Sequence, residues 1–186
     1  MRVIAGTLRG RTLFAPPGAA TRPTADRVRE ALFSILGDVS GARVLDLYAG
    51  TGALGIEALS RGAARATFVE HARPALRVLR RNVQTLGLET LATVLSLRAE
   101  RALSTRPWGS SLFDLVFIDP PYDEVRRRPA AGGVARMVAG DLSPSVELGG
   151  RVVLEHASSD LPPEIAGFER EDTRTYGDTT LSFYIR

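Results

Sequence analysis

Short apolar runs recur along this chain, separated by stretches whose apolar residues keep helical spacing. Val44-Leu45-Asp46-Leu47, Ala66-Thr67-Phe68-Val69-Glu70, Leu91 to Leu97, Phe113 to Asp119 and Arg151-Val152-Val153-Leu154-Glu155 predict buried strands. Between and before them lie helices. Val28, Leu32, Ile35 and Leu36 mark one helical face, with Thr24 at the N-cap, Asp26 in the first turn and Gly37 past the end. A second helix follows a glycine-rich turn and runs to about Leu59. Pro74 opens a third, Leu76, Val78, Leu79 and Val83 supply its apolar positions, and Gly87 closes it. Ala99 to Ser104 reads as a short helical piece, and residues 130–140 as a helix weakened by Gly132 and Gly133.

Phe168 to Thr175 and Thr180 to Ile185 predict two last strands around Gly177-Asp178, with no helix between them. Strands alternating with helices make an α/β protein with a doubly wound, mostly parallel sheet, and the final pair requires one antiparallel strand. Residues 1–14 alternate more loosely, with Gly6 and Gly10 at turn positions, and predict a β-hairpin; Ala15-Pro16-Pro17-Gly18 is a linker. The expected organisation is an arm over residues 1–20 and one domain over 21–186.

Composition narrows the chemistry. The 186 residues contain no cysteine, which excludes disulfides and thiolate metal sites, and two histidines leave little for a histidine-rich metal centre, so no metal is expected. No apolar run approaches the length of a membrane span or of a signal-peptide core, and a cytoplasmic protein is expected. All 24 basic residues are arginine, a bias that a GC-rich genome explains. Their placement says more. Arg2, Arg9, Arg11, Arg22, Arg27 and Arg29 fall within the first 30 residues against only Asp26 and Glu30. A basic arm on a nearly neutral body suits a polyanionic partner.

The glycine-rich turn is Tyr48-Ala49-Gly50-Thr51-Gly52-Ala53-Leu54-Gly55. It follows a strand, opens a helix and matches G-x-G-x-x-G, and Glu70 lies 20 residues past Gly50 at the end of the next strand. Glycines let the backbone approach a ligand, and the acid can bond ribose hydroxyls. NAD and S-adenosylmethionine both fit this much. Asp46 beside the loop favours a cofactor with an ammonium and a sulfonium, because a pyrophosphate wants the helix N-terminus free of acid. Its other use is to bond the loop's own N–H groups.

The fourth strand runs into Asp119-Pro120-Pro121-Tyr122. Asp119 and Pro120 each precede a proline and are pushed toward extended geometry. The prolines lack N–H groups, so the turn offers carbonyl oxygens without the usual donors. A carboxylate, free carbonyls and a ring suit a flat group that bears N–H bonds. An exocyclic base amine is a poor nucleophile because its lone pair is delocalised. If Asp119 and the Pro120 carbonyl accept its two N–H bonds, the lone pair is held toward a methyl donor, and positioning is most of the catalysis. Tyr122 would stack on the base. In a doubly wound sheet the first and fourth strands meet at the switch point, so both segments are expected at one crevice.

These residues resemble the RsmD family, bacterial methyltransferases of the N2 amine of a guanine in 16S ribosomal RNA. The resemblance rests on Arg2-Val3-Ile4-Ala5-Gly6, Arg9-Gly10-Arg11, Arg22 to Glu30, Leu45 to Gly62 and Phe117 to Tyr122, and is faint beyond Glu155. It implies a Rossmann-like class I methyltransferase with seven strands in the order 3-2-1-4-5-7-6. It implies S-adenosylmethionine bound by the Asp46–Gly52 stretch, Tyr48 included, and by Glu70, with Asp119 to Tyr122 holding guanine. The arginines of the arm and of Arg22 to Arg29 would grip 16S rRNA or the small subunit. Many relatives carry Asp or Asn after the third strand to meet adenine; here Arg98-Ala99 stands instead, so backbone atoms around Ala99 would take that role. A monomer is expected.

Other readings of the same residues are a base amino-methyltransferase for adenine N6 or cytosine N4, a non-catalytic rRNA-binding factor, and an NAD-dependent oxidoreductase. The last gives Asp119 to Tyr122 no role. Arg126-Arg127-Arg128 and Glu155 are secondary candidates beside the site.

Overall fold

The computed structural model describes residues 1–16, 23–121 and 141–186. The helix expected over 130–140 lies outside the described residues, as do Arg22, Tyr122 and Arg126 to Arg128. The elements are α1 (Pro23–Leu36), β1 (Arg43–Leu47), α2 (Ala53–Ser60), β2 (Arg65–Val69), α3 (Arg73–Thr85), β3 (Ala92–Leu95), α4 (Ala99–Thr105), β4 (Phe113–Ile118), β5 (Val146–Ala157), β6 (Glu169–Tyr176) and β7 (Thr179–Ile185). They build one seven-stranded sheet in the order β3-β2-β1-β4-β5-β7-β6. Strand β7 is antiparallel to both its neighbours, as the missing helix before it requires. Two compact units make up the chain, Met1–Leu97 and Arg98–Arg186.

In the first unit, β1 to β3 pair in parallel, with Leu45 opposite Thr67 and Thr67 opposite Thr93. Val44, Leu45, Leu47 and Phe68 are buried, because helices pack on a parallel sheet. Helix α1 begins at Pro23, so Thr24, expected at the cap, is already helical.

The arm closes as a hairpin-like loop with one antiparallel bridge, Arg2 to Thr12, rather than a regular ladder. Val3, Gly10 and Leu13 donate across the loop, to the Arg11, Val3 and Met1 carbonyls, while the backbone from Ile4 to Leu8 bonds α2. The N–H groups of Ile4 and Ala5 donate to Glu57 at 2.8 and 2.9 Å, Thr7 N–H donates to the Ser60 carbonyl at 2.8 Å, and Leu8 N–H donates to Ser60 Oγ at 2.9 Å. Gly6 sits against Ser60 at a φ of +81°, where a Cβ would lie 1.8 Å from the Ser60 carbonyl oxygen. Only glycine allows that approach.

In the second unit, β4 pairs in parallel with β5, which is much longer than the five residues expected. Its first part, through Gly149 and Gly150, joins β4 at Phe113 and then shifts register before Leu115 meets Arg151. Strand β6 is mostly exposed and polar, whereas β7 beside it is buried from Thr180 to Tyr184.

Candidate active site

The glycine loop is shaped by positive backbone angles. Tyr48 stands at φ 62°, Gly50 at 56° and Gly52 at 84°, the last as the N-cap of α2. A tyrosine in the left-handed region is held there by its surroundings at a cost of order 1–3 kcal/mol. The Gly50 N–H donates to Glu70 Oε2 at 2.9 Å, and Ala72 N–H donates to Glu70 Oε1 at 2.6 Å. Glu70 is 7% exposed. Both its oxygens keep further lone pairs, so the carboxylate that orders the loop can still accept hydroxyl groups.

Space in front of the loop is uneven. A Cβ on Gly52 would lie 2.4 Å from Leu79 Cδ1, and one on Gly55 would lie 2.4 Å from Phe68 Cε1. A Cβ on Gly50 would meet nothing nearer than the Tyr48 carbonyl oxygen at 3.9 Å. Gly52 lets the start of α2 pack against Leu79 of α3, Gly55 lets α2 pack on Phe68 of β2, and Gly50 faces open space. An exposed backbone edge with a neighbouring buried acid fits the ribose and amino-acid portion of a nucleoside cofactor.

Asp46 bonds the backbone of the loop itself. It is 1% exposed, and its Oδ2 accepts the Gly55 N–H at 2.9 Å. The carboxylate lies behind the loop and ties the first turn of α2 to β1, the alternative use of this acid.

Asn82 supplies a link that the sequence reading missed. This buried side chain accepts the Phe14 N–H at 2.8 Å and donates to the carbonyls of Phe14 at 3.1 Å and Thr51 at 2.9 Å. One amide thus joins the arm, α3 and the glycine loop. Its only signal is a polar residue among the apolar positions Leu76, Leu79 and Val83.

Glu57 was missed for the same reason. It is wholly buried, and besides the arm's N–H groups it accepts from Arg61 Nε at 2.8 Å and has Arg29 Nε at 3.7 Å. Arg29, expected as an RNA contact, is 4% exposed. Its Nη2 donates to the Arg2 carbonyl at 2.6 Å and to Asp26 at 3.0 Å. Its charge is used inside the protein, and it serves as an internal brace of the arm. Arg2, Arg9, Arg11 and Arg27 are exposed.

In the second unit, Asp119 directly follows β4. Ile118 pairs with Leu154, so Asp119 and Glu155 come next on adjacent parallel strands, about 4.8 Å apart in the pairing direction. Both are partly exposed at their edges, yet removal from bulk water dominates their chemistry. Burial raises the Asp119 carboxyl to about 6. Burial, then the negative charge of Asp119, raises the Glu155 carboxyl to about 8. Near neutrality the pair holds an ionised Asp119 beside a protonated Glu155. Pro120 is buried and Pro121 exposed. Ala99, at the start of α4, is 3% exposed. Its side chain has no open face, which leaves backbone atoms for any contact there.

A doubly wound sheet in this order, with a glycine loop after β1 and an acid after β2, defines a class I methyltransferase. The chain belongs to the family described as Conserved hypothetical protein 95, whose model matches residues 1–185, and is an RsmD-like methyltransferase. It is 38% identical over 186 residues to the "Putative rRNA methyltransferase YlbH" of Bacillus subtilis, covering 99% of this chain and 98% of that protein. Identity to the "Ribosomal RNA small subunit methyltransferase D" of Escherichia coli is 43% over 123 residues, covering 66% of this chain and 60% of that protein. The solved structure titled "Putative methyltransferase yhhF from Escherichia coli" matches with a TM-score of 0.81 at 33% identity, covering 100% of this chain and 97% of that one. Among the described residues no helix is long and apolar enough to cross a membrane.

Proposed function

We propose that this protein transfers a methyl group from S-adenosylmethionine to the exocyclic N2 amine of a guanine in 16S ribosomal RNA. The observation that carries the reading is the Asp119–Glu155 pair at the head of a donor-free Pro-Pro turn. It provides an ionised acceptor where an amine-bearing base needs one. The glycine loop and Glu70 bind the methyl donor, with Tyr48 and Gly50 along its edge and the backbone at Ala99 beside adenine. The donor supplies an electrophilic methyl carbon on a sulfonium.

The chain's own residues do the rest. The Asp119 carboxylate and the Pro120 carbonyl accept the two N–H bonds of the amine. This aims the nitrogen lone pair and restrains the base, a positioning effect that can supply several orders of magnitude in rate. As the N–C bond forms and the C–S bond breaks, the nitrogen gains positive charge and must lose a proton. Asp119 is the acceptor in contact with that proton, and a carboxyl near 6 is basic enough to take it and release it to water. Tyr122 stacks on the base. Pro121 keeps the turn without a competing N–H. Arg2, Arg9, Arg11, Arg22 and Arg27 bind phosphate.

The choice of ribosomal RNA is supported by the Escherichia coli relative, which is named for the small-subunit RNA. The choice of guanine rests on the resemblance of the Asp119 to Tyr122 turn and its companion motifs to the RsmD pattern. The test is Asp119→Ala. Single-turnover methyl transfer to 16S rRNA or to small subunits is expected to fall at least 100-fold while RNA affinity changes less than threefold. Equal transfer by the variant would remove Asp119 from the mechanism. Absence of transfer by the intact protein, with RNA binding retained, would favour a non-catalytic assembly factor.

A further inference from the structure

Helix α3 has a surface that the proposed reaction does not use. Its 13 residues include Arg73, Arg77, Arg80 and Arg81 and no acid. All four arginines are exposed, on the face opposite Leu76, Leu79, Asn82 and Val83. Among the described residues none of the four pairs with a carboxylate. A helix exposed only to water gains from interleaved acids, and this one has none. Arg73 opens the helix, where its charge opposes the positive end of the dipole. Arg77 has like charges four residues away on both sides, at Arg73 and Arg81. The arrangement works against the helix itself, and the packing of the buried face does not require it.

The same surface continues into the arm. The Arg81 guanidinium lies 3.6 Å from the centre of the Phe14 ring. Arg11 Nη2 donates to the Thr85 carbonyl at 3.2 Å, at the last residue of α3. Two arginines from segments far apart in sequence are therefore held in place at one end of the row. From Arg73 to Arg80 the helix rises about 10 Å, the reach of several backbone phosphates.

We propose that the outer face of α3, through Arg73, Arg77, Arg80 and Arg81, binds the phosphate backbone of RNA as a continuation of the arm at Arg11. The proposal rests on the reading that the substrate is ribosomal RNA. Guanidinium forks match phosphate oxygens in pairs. The other exposed residues of α3 are Pro74, Gln84 and Thr85, so the helix offers no large apolar or aromatic side chain as the buried anchor that a protein partner would need.

The test is the full chain carrying Arg77→Gln/Arg80→Gln, beside Arg77→Lys/Arg80→Lys, with a 16S rRNA transcript as probe. Gln keeps helix propensity and removes two charges, and thermal melts confirm that both variants fold. The Gln pair is expected to bind the transcript about tenfold more weakly near physiological salt. Its plot of log affinity against log salt is expected to be shallower by about 1.4 to 1.8, one phosphate per arginine. The Lys pair is expected to keep the wild-type slope, and S-adenosylmethionine affinity is expected to stay the same in all three.

A wild-type slope for the Gln pair, in a protein whose wild type methylates ribosomal RNA, overturns the inference and leaves the function standing. Loss of affinity for polyglutamate with RNA binding intact would place a protein partner there and overturn it too. A wild type that neither binds nor methylates the transcript or small subunits overturns both.

Discussion

Asp119 and Glu155 stand side by side at the carboxyl ends of β4 and β5, because Ile118 and Leu154 are in register one residue earlier. Two acids cannot both ionise cheaply in that position. The folded chain raises both carboxyls above their unfolded values, Asp119 to about 6 and Glu155 to about 8. Folded protein therefore holds protons that the unfolded chain has released, and this pair makes stability fall as pH rises from about 4 toward 8. Glu155→Gln removes the costlier charge. Its Tm is expected to exceed that of the wild type at pH 9, and the two to converge toward pH 5, in melts across that range. A wild type that is the more stable at pH 9 would show that Glu155 ionises without penalty.

The same pair sets the pH dependence of transfer. Asp119 loses its proton while Glu155 is still neutral, so the rate limb near 6 belongs to Asp119. Single-turnover transfer is expected to rise about tenfold per pH unit below that value and to level above it. Glu155→Gln is expected to keep this limb, because the neighbour it replaces is uncharged there. A limb that moves by more than a unit in the variant would mean that the two groups share their titration differently.

Asn82→Ala tests the tie between arm and loop. It leaves the Phe14 N–H and two carbonyls, those of Phe14 and Thr51, without their partner. Buried groups left unpaired cost about 1–3 kcal/mol each, partly relieved by water, so a loss of about 3 kcal/mol in urea unfolding is expected. S-adenosylhomocysteine affinity, by calorimetry, is expected to drop with it, since Thr51 belongs to the glycine loop. Unchanged affinity at unchanged stability would break that link.

The arginines near the N-terminus divide into two kinds. Arg29→Ala strands the buried Glu57 with less countercharge and is expected to cost about 3 kcal/mol of stability with no change in the RNA salt slope. Arg9→Ala/Arg11→Ala is expected to leave stability nearly intact and to flatten that slope by about 1.4 to 1.8. Paired unfolding and binding titrations separate the outcomes, and identical behaviour of the two variants would contradict the division.

Most of the sheet could be read from the chain because β1 to β4 are short apolar runs closed by turn residues, and parallel strands carry that pattern whatever their partners. The strand order came from family resemblance, since no local pattern encodes which strand lies next to which. The start of β5 was not readable. Gly149 and Gly150 look like loop residues, and it is pairing of that stretch with Phe113 on one side and Arg186 on the other that makes it a strand.

At the candidate site, the nearness of the glycine loop and Glu70 was legible because both end adjacent strands at a fixed spacing. The bracing contacts of Asp46, Arg29, Glu57 and Asn82 were hard to read for one reason. Each is a polar residue whose partner lies far along the chain or on a backbone atom, and burial, which decides between ligand contact and internal brace, has no sequence signature. Arg29 looked like its exposed neighbour Arg27 until its guanidinium was found on the Arg2 carbonyl.

The central claim is tested most directly by incubating the protein with 16S rRNA or small subunits and methyl-labelled S-adenosylmethionine, then digesting the RNA to nucleosides. The label is expected in N2-methylguanosine, from a single position. Label in N6-methyladenosine or N4-methylcytidine, or none in either substrate, would contradict the account.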